Sequence, residues 1–147
     1  ATRSLGARAL LVVGRDQPPP ANLPADGSMK AVAYAPYSAV FRRSSVVVHH
    51  GGAGTTAQAL VAGRPTLITP MAHDQYDNAA RVRRLGCGET LAFGRVNASR
   101  LAATLATLRS DPRFSLAAQA IAPCFAAEDG AAAAALAIEH SDARTPR

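Results

Sequence analysis

The sequence predicts an α/β domain: a parallel sheet with helices on both faces, followed by a helical tail. Three observations predict it. Short runs rich in Val, Leu and Ile alternate with helix-compatible stretches. The first four runs each close on glycine, proline or histidine-glycine, residues that punctuate strand ends. Finally, Val46-Val47-Val48-His49-His50-Gly51-Gly52-Ala53-Gly54-Thr55-Thr56 reads as strand, tight glycine loop and helix start in one continuous stretch.

Taken in order, Ser4 to Arg8 suits the end of a helix, and Ala9 to Gly14 reads as a buried parallel strand. Residues 15–28 hold four prolines and two aspartates and therefore form a loop. Lys30 to Tyr34 is a second strand, and Pro36 suits the first turn of a short helix through Phe41. A third strand covers Ser45 to Val48, and a helix from Thr55 to Ala62 stops at Gly63. Pro65 to Thr69 is a fourth strand closed by Pro70. Asp77 to Leu85 is a helix closed by Gly86, and Cys87 to Leu91 is a short fifth strand. Asn97 is the N-cap candidate of a helix to Leu108. Asp111-Pro112 opens another helix, to about Ala127. Gly130 breaks it before an alanine-rich helix towards His140, and residues 141–147 read as a frayed tail.

Composition narrows the function. A chain of 147 residues, 48% hydrophobic and 18% charged, supports one packed domain. No apolar run reaches the roughly 18 residues of a membrane span, and no signal peptide is visible. A cytoplasmic location is the expectation. The chain starts at Ala1 and not Met, so a processed chain or a piece of something longer is expected. The net charge of +6 comes from scattered arginines with few aromatics between them, which argues for an arginine-rich surface and against nucleic-acid binding. Cys87 and Cys124 form no CxxC pair and read as free thiols. His49 and His50 are adjacent on an extended strand and point to opposite faces, so no metal is expected there. His49 reads as a packing or loop-supporting residue.

Topology gathers the remaining motifs. With right-handed crossovers, parallel strands all end at one rim, where ligands bind. Tyr34 and Tyr37 follow the second strand, His50 to Thr56 the third, and Asp74-Gln75 the fourth. Aromatic rings can stack a base. Glycine allows the main chain to approach a ligand, and free N–H groups at a helix start bind anions. The glycine loop before Thr55 and Thr56, with His50 beside it, therefore reads as a diphosphate site. A carboxylate with a carboxamide, Asp74 and Gln75, suits sugar hydroxyls. Two plainer readings stand beside this one. Thr55 and Thr56 also suit helix caps, and Tyr34 and Tyr37 also suit core positions. Gly52 to Ala57 fits GxGxxG/A, which keeps an NAD(P)-type dinucleotide-binding module open as an alternative.

The ordered set Pro36-Tyr37, Val40-Phe41, Val47 to Thr56, Ala62-Gly63-Arg64-Pro65, Pro70 and His73-Asp74-Gln75-Tyr76-Asp77-Asn78-Ala79 resembles the donor-binding, C-terminal half of GT-B glycosyltransferases. More narrowly it is similar to the bacterial natural-product and sterol or rhamnolipid transferases related to UDP-glucuronosyltransferases, over about Leu10 to Leu108. The resemblance implies a Rossmann-like donor-binding domain over residues 1–140. It implies His50, Gly52, Gly54 and Thr55 on the donor diphosphate and Asp74 with Gln75 on the sugar. It places Tyr34, Tyr37 and Gln58 near the base and ribose, where plant relatives carry tryptophan, glutamine and glutamate. Asn78 then helps to start its helix. The implied donor is a UDP- or TDP-sugar, with no further cofactor. The catalytic base and the small-acceptor site are implied in an N-terminal domain outside this chain, and the family's first donor-domain strand before Ala1. The chain is then one part of a larger enzyme, or a subunit of a split one that pairs with a partner subunit or forms a homo-oligomer. Alone it is expected to transfer no sugar. A nucleotide-binding subunit without chemistry is the remaining alternative.

Overall fold

The computed structural model describes residues 1–142. Five short strands occur among them: β1 (Ala9–Val12), β2 (Met29–Val32), β3 (Val47–His49), β4 (Thr66–Ile68) and β5 (Gly88–Thr90). The helices are α1 (Tyr37–Arg42), α2 (Ala53–Val61), α3 (Gln75–Arg84), α4 (Ala98–Ser110), α5 (Pro112–Ala126) and α6 (Gly130–Asp142). Every strand pair is parallel. The expected alternation is met, and most element boundaries fall within two residues of the sequence reading. Ser4 to Arg8 yields only a 3-10 turn, at Arg3–Leu5.

Two local signals are realised in atomic detail. The Asn97 side chain accepts the Arg100 N–H at 2.9 Å, and Asp111 accepts the Arg113 N–H at 3.0 Å with Pro112 in the first turn. Each cap satisfies a donor that the helix itself cannot.

The sheet departs from expectation. It is two ladders, β1–β2 and β3–β4–β5, with no hydrogen bonds joining them. The expectation of a buried first strand is corrected too: neither β1 nor β2 holds a buried residue, and Leu10 is 42% exposed. No residue of β1 or β2 belongs to the core clusters that the helices build on β3 and β4, so their side chains stay only partly covered. The two ladders share a cluster near their starts. Leu5, before β1, and Val46, before β3, both pack on the Leu67, Leu105 and Leu108 cluster.

The three-stranded ladder is a true interior. Consecutive strand residues face opposite sides. Leu67 faces α4 through Leu105 and Leu108, while Ile68 packs with Leu60 of α2, Ala79 and Val82 of α3, and Ala118 of α5. Helices thus cover both faces. The three carbon-rich layers remove enough apolar surface from water to hold the rims of β3 and β4 in place. α6 follows a short break, and its residues 130–140 are exposed, consistent with a helical tail. α6 includes Ser141 and Asp142, and the rest of the expected frayed tail, residues 143–147, lies outside the described ones. Among the described residues, no single helix is long and apolar enough to cross a membrane.

β5 packs against β4 and α3 so closely that only glycine fits at its start. A Cβ on Gly88 would overlap the Thr66 carbonyl oxygen and approach Val82 Cγ1 to 2.7 Å. Gly88→Ala is expected to cost about 1–3 kcal/mol by overpacking. Gly94→Ala, where a Cβ meets nothing within 4 Å, is the matched control. Urea unfolding of the two variants checks this, and equal midpoints would contradict it.

Candidate functional site

β3 ends at His49, and the chain turns at once. Gly51 adopts φ +98°, a conformation that L side chains rarely enter. Its N–H donates to His49 Nδ1 at 3.1 Å, and its carbonyl accepts from Asn78 Nδ2 at 2.9 Å. A Cβ here would lie 2.7 Å from Ile68 Cγ2 and 3.1 Å from the Gln75 carbonyl oxygen. The loop after β3 is therefore pressed against the turn after β4.

α2 then starts with Gly52 as N-cap. Its first hydrogen bond runs from the Thr56 N–H to the Gly52 carbonyl at 3.0 Å. The N–H groups of Gly52, Ala53, Gly54 and Thr55 make no hydrogen bond among the described residues. No side chain caps them. The helix-cap reading of Thr55 and Thr56 is thereby corrected: the buried Thr56 hydroxyl donates to the Gly52 carbonyl at 2.9 Å, back along its own helix. His50 is exposed at the loop mouth, and its ring lies over Gly52, with Nε2 2.7 Å from where a Cβ would stand. An imidazole, a helix N-terminus and four free donors share one surface, which makes it attractive to an anion.

His49 has the supporting part. Because Nδ1 accepts the Gly51 N–H, the ring proton sits on Nε2, which is buried with no hydrogen-bond partner. Burial, and then the charge of His50 nearby, push its pKa down to about 4. The ring stays neutral and serves as an acceptor for the turn.

Across the groove, Asp74 and Gln75 open α3. His73, just before them, is the one non-glycine residue with positive φ among those described, at +56°. Asp74 is exposed, and one of its oxygens, Oδ2, accepts from Asn78 Nδ2 at 2.9 Å. Gln75 Oε1 accepts the Met71 and Ala72 N–H groups at 2.8 and 3.2 Å. Its oxygen thus holds the turn, and only its NH2 group is left for a ligand. The structure brings His50, Gly52, Gly54, Thr55, Asp74 and Gln75 together on one rim.

The three base-side candidates are dispersed. Tyr34 is 67% exposed beyond β2, with the Arg15 guanidinium 5.9 Å above its ring. Tyr37 is stacked on Phe41, with 4.7 Å between centroids, and packs with Val47 and Ala59, so much of its ring serves the core. Gln58 is exposed on α2 and lines a 380 Å³ groove with Ser38 and Arg42 of α1 and Phe125 of α5. Both cysteines are free. Among the described residues, no group of three or more His, Cys, Asp or Glu is placed to hold a metal ion. Asn78 is the residue whose part the sequence reading missed. Its motif position was visible, but the partner Gly51, 27 residues away, was not.

Comparison with known proteins shows the family. Residues 9–138 match the family described as erythromycin biosynthesis protein CIII-like, C-terminal domain. O-mycaminosyltylonolide 6-deoxyallosyltransferase of Streptomyces fradiae is 39% identical over 140 residues, covering 95% of this chain and 32% of that protein. A sterol 3-beta-glucosyltransferase of Kluyveromyces lactis is 38% identical over 103 residues, covering 70% of this chain and 8% of its own length. Among solved structures, the glycotransferase of kitacinnamycin superposes with TM-score 0.77 and 30% identity, over 90% of this chain and 34% of that one. Glycosyltransferase VinC, in complex with DTDP, gives 0.67 and 30%, over 73% and 27%. The chain spans about a third of the first relative and less of others.

The neutral His49 predicts a pH signature. Its folded pKa lies below the ordinary 6.5, so the unfolded chain binds the extra proton. The stabilisation is complete above pH 6.5 and is lost as pH falls towards 4, by at most about 3 kcal/mol. His49→Asn, which keeps an acceptor but cannot titrate there, should flatten this part of the urea-unfolding profile between pH 7.5 and 4.5. Parallel profiles for the two proteins would contradict the assignment.

Proposed function

Since the chain belongs to the erythromycin biosynthesis protein CIII-like C-terminal domain family, we propose that it holds the nucleoside-diphosphate sugar in a transferase acting on a hydroxyl of a small, apolar acceptor. One observation carries this reading: the unpaired N–H groups of Gly52 to Thr55 open beside the His50 ring, opposite the Asp74 carboxylate. The dinucleotide-module alternative is not favoured, because the relatives are glycosyltransferases. VinC was solved with DTDP, which supports a pyrimidine diphosphate, TDP or UDP, as the leaving group.

In this reading the acceptor oxygen forms a bond to the anomeric carbon while the bond from that carbon to the diphosphate breaks. Negative charge grows on the departing phosphate. The loop N–H groups, His50 and the α2 dipole stabilise it there, where fixed donors need no reorganisation. Asp74 accepts sugar hydroxyls through its remaining lone pairs, and Gln75 donates from its NH2 group. The same reading assigns Tyr34, Tyr37 and Gln58 to the base and ribose, although the three stand apart from one another. The acceptor pocket and the base that takes the acceptor proton belong to an N-terminal domain, and the expected stereochemistry is inversion. No metal or organic cofactor is required by this scheme.

Charge-assisted hydrogen bonds are worth roughly 1.5–3 kcal/mol. His50→Ala should therefore weaken TDP or UDP binding by about tenfold to a hundredfold, measured by calorimetry. Asp74→Asn should weaken TDP-glucose or UDP-glucose more than the free nucleotide. Unchanged nucleotide affinity in the His50 variant would remove its part, and equal losses for both ligands would remove that of Asp74. In a thermal-shift panel of UDP, TDP, GDP and NAD, a preference for NAD would overturn the whole reading.

A further inference from the structure

The two halves of the proposed site are joined by one carboxamide. Asn78 lies in the first turn of α3 and is half-buried. Its Nδ2 donates to the Gly51 carbonyl at 2.9 Å and to Asp74 Oδ2 at 2.9 Å, so both hydrogens of the group are used. Its own N–H already bonds to the Asp74 carbonyl at 2.9 Å as a normal helical link. The side chain reaches beyond that link: it ties Asp74, the N-cap residue of α3, to the loop after β3. Asparagine is also a poor helix former, so local propensity does not account for it.

The two bonds have definite consequences for the surfaces they leave free. In a trans peptide the carbonyl of one residue and the N–H of the next point in opposite directions. Tying the Gly51 carbonyl to α3 therefore turns the Gly52 N–H away from α3, towards the loop mouth under His50. Drawing Asp74 Oδ2 onto the same NH2 group leaves Oδ1 as the outward acceptor. A carboxamide with one fixed plane cannot move one bond without disturbing the other.

We propose that Asn78 is a positioning residue that couples the phosphate loop to the sugar-reading carboxylate, so that each half of the donor orders the other's site. This rests on the donor-binding reading above. Asn78 itself touches neither phosphate nor sugar; it acts through Gly51 and Asp74.

Two measurements on the 147-residue chain test it. Without ligand, the Asn78 side-chain NH2 protons should both exchange slowly in NMR spectra, and Asn78→Ala should shift the Gly52 amide resonance. With ligand, calorimetry with TDP, TDP-glucose, UDP and UDP-glucose should show Asn78→Ala weakening the nucleotide about tenfold and the sugar nucleotide further. That further loss should vanish in an Asp74→Ala background, whereas the nucleotide loss should remain. A merely structural role would lower the unfolding midpoint and leave the same sugar-dependent loss in both backgrounds. Such independence, wild-type affinities in Asn78→Ala, or freely exchanging NH2 protons would overturn the proposal. If the native chain binds none of the four probes while the NMR signs appear, the donor reading fails and the bridge stands.

Discussion

The Gly51 peptide is the constraint on which the rest of the site depends. It is held from three sides at once. Its N–H is taken by a neutral His49, its carbonyl by Asn78, and its α-carbon leaves no room for a side chain beside Ile68. The turn lets β3 end and α2 begin within four residues, and so leaves the N–H groups of the first turn of α2 facing outwards. Each support comes from a different part of the chain. The anion-binding surface is thus a consequence of β3, β4 and α3 packing together, and not a property of the loop alone.

That packing begins with the alternation of Leu67 and Ile68 on β4. One residue anchors α4 on one face; the other gathers α2, α3 and α5 on the opposite face. The central ladder is fully buried at β4, which fixes the height at which β3 and β4 release their loops. The β1–β2 ladder contributes differently. It carries Tyr34 at its end but lacks a buried residue of its own, and an isolated two-stranded unit is at best marginal in water. Tyr34 therefore rests on the less supported ladder, whereas Tyr37 on α1 and Gln58 on α2 belong to helices packed on the core.

What the sequence made legible was local. Asn97 and Asp111-Pro112 announce their helices because the cap bonds span only two or three residues. The histidine-glycine loop and the Asp-Gln pair could be placed on one rim because parallel crossovers leave no other choice. What it concealed was non-local or conformational. The division into two ladders depends on which edges meet, not on any residue pattern. The positive φ of His73 has no composition signal. Gln75 gave no sign that its oxygen would be used by Met71 and Ala72. For Tyr37 a signal did exist, since Phe41 follows it by four residues and such pairs meet on a helix face.

The central claim is that unsatisfied main-chain donors at the start of α2 receive a pyrophosphate. The most direct measurement is a titration of the isotopically labelled chain with TDP, followed at each backbone amide by NMR. The account predicts saturable shifts that are largest at Gly52, Ala53, Gly54 and Thr55. Shifts centred instead on the groove of Ser38, Arg42 and Phe125, with those four amides unmoved at saturation, would contradict it.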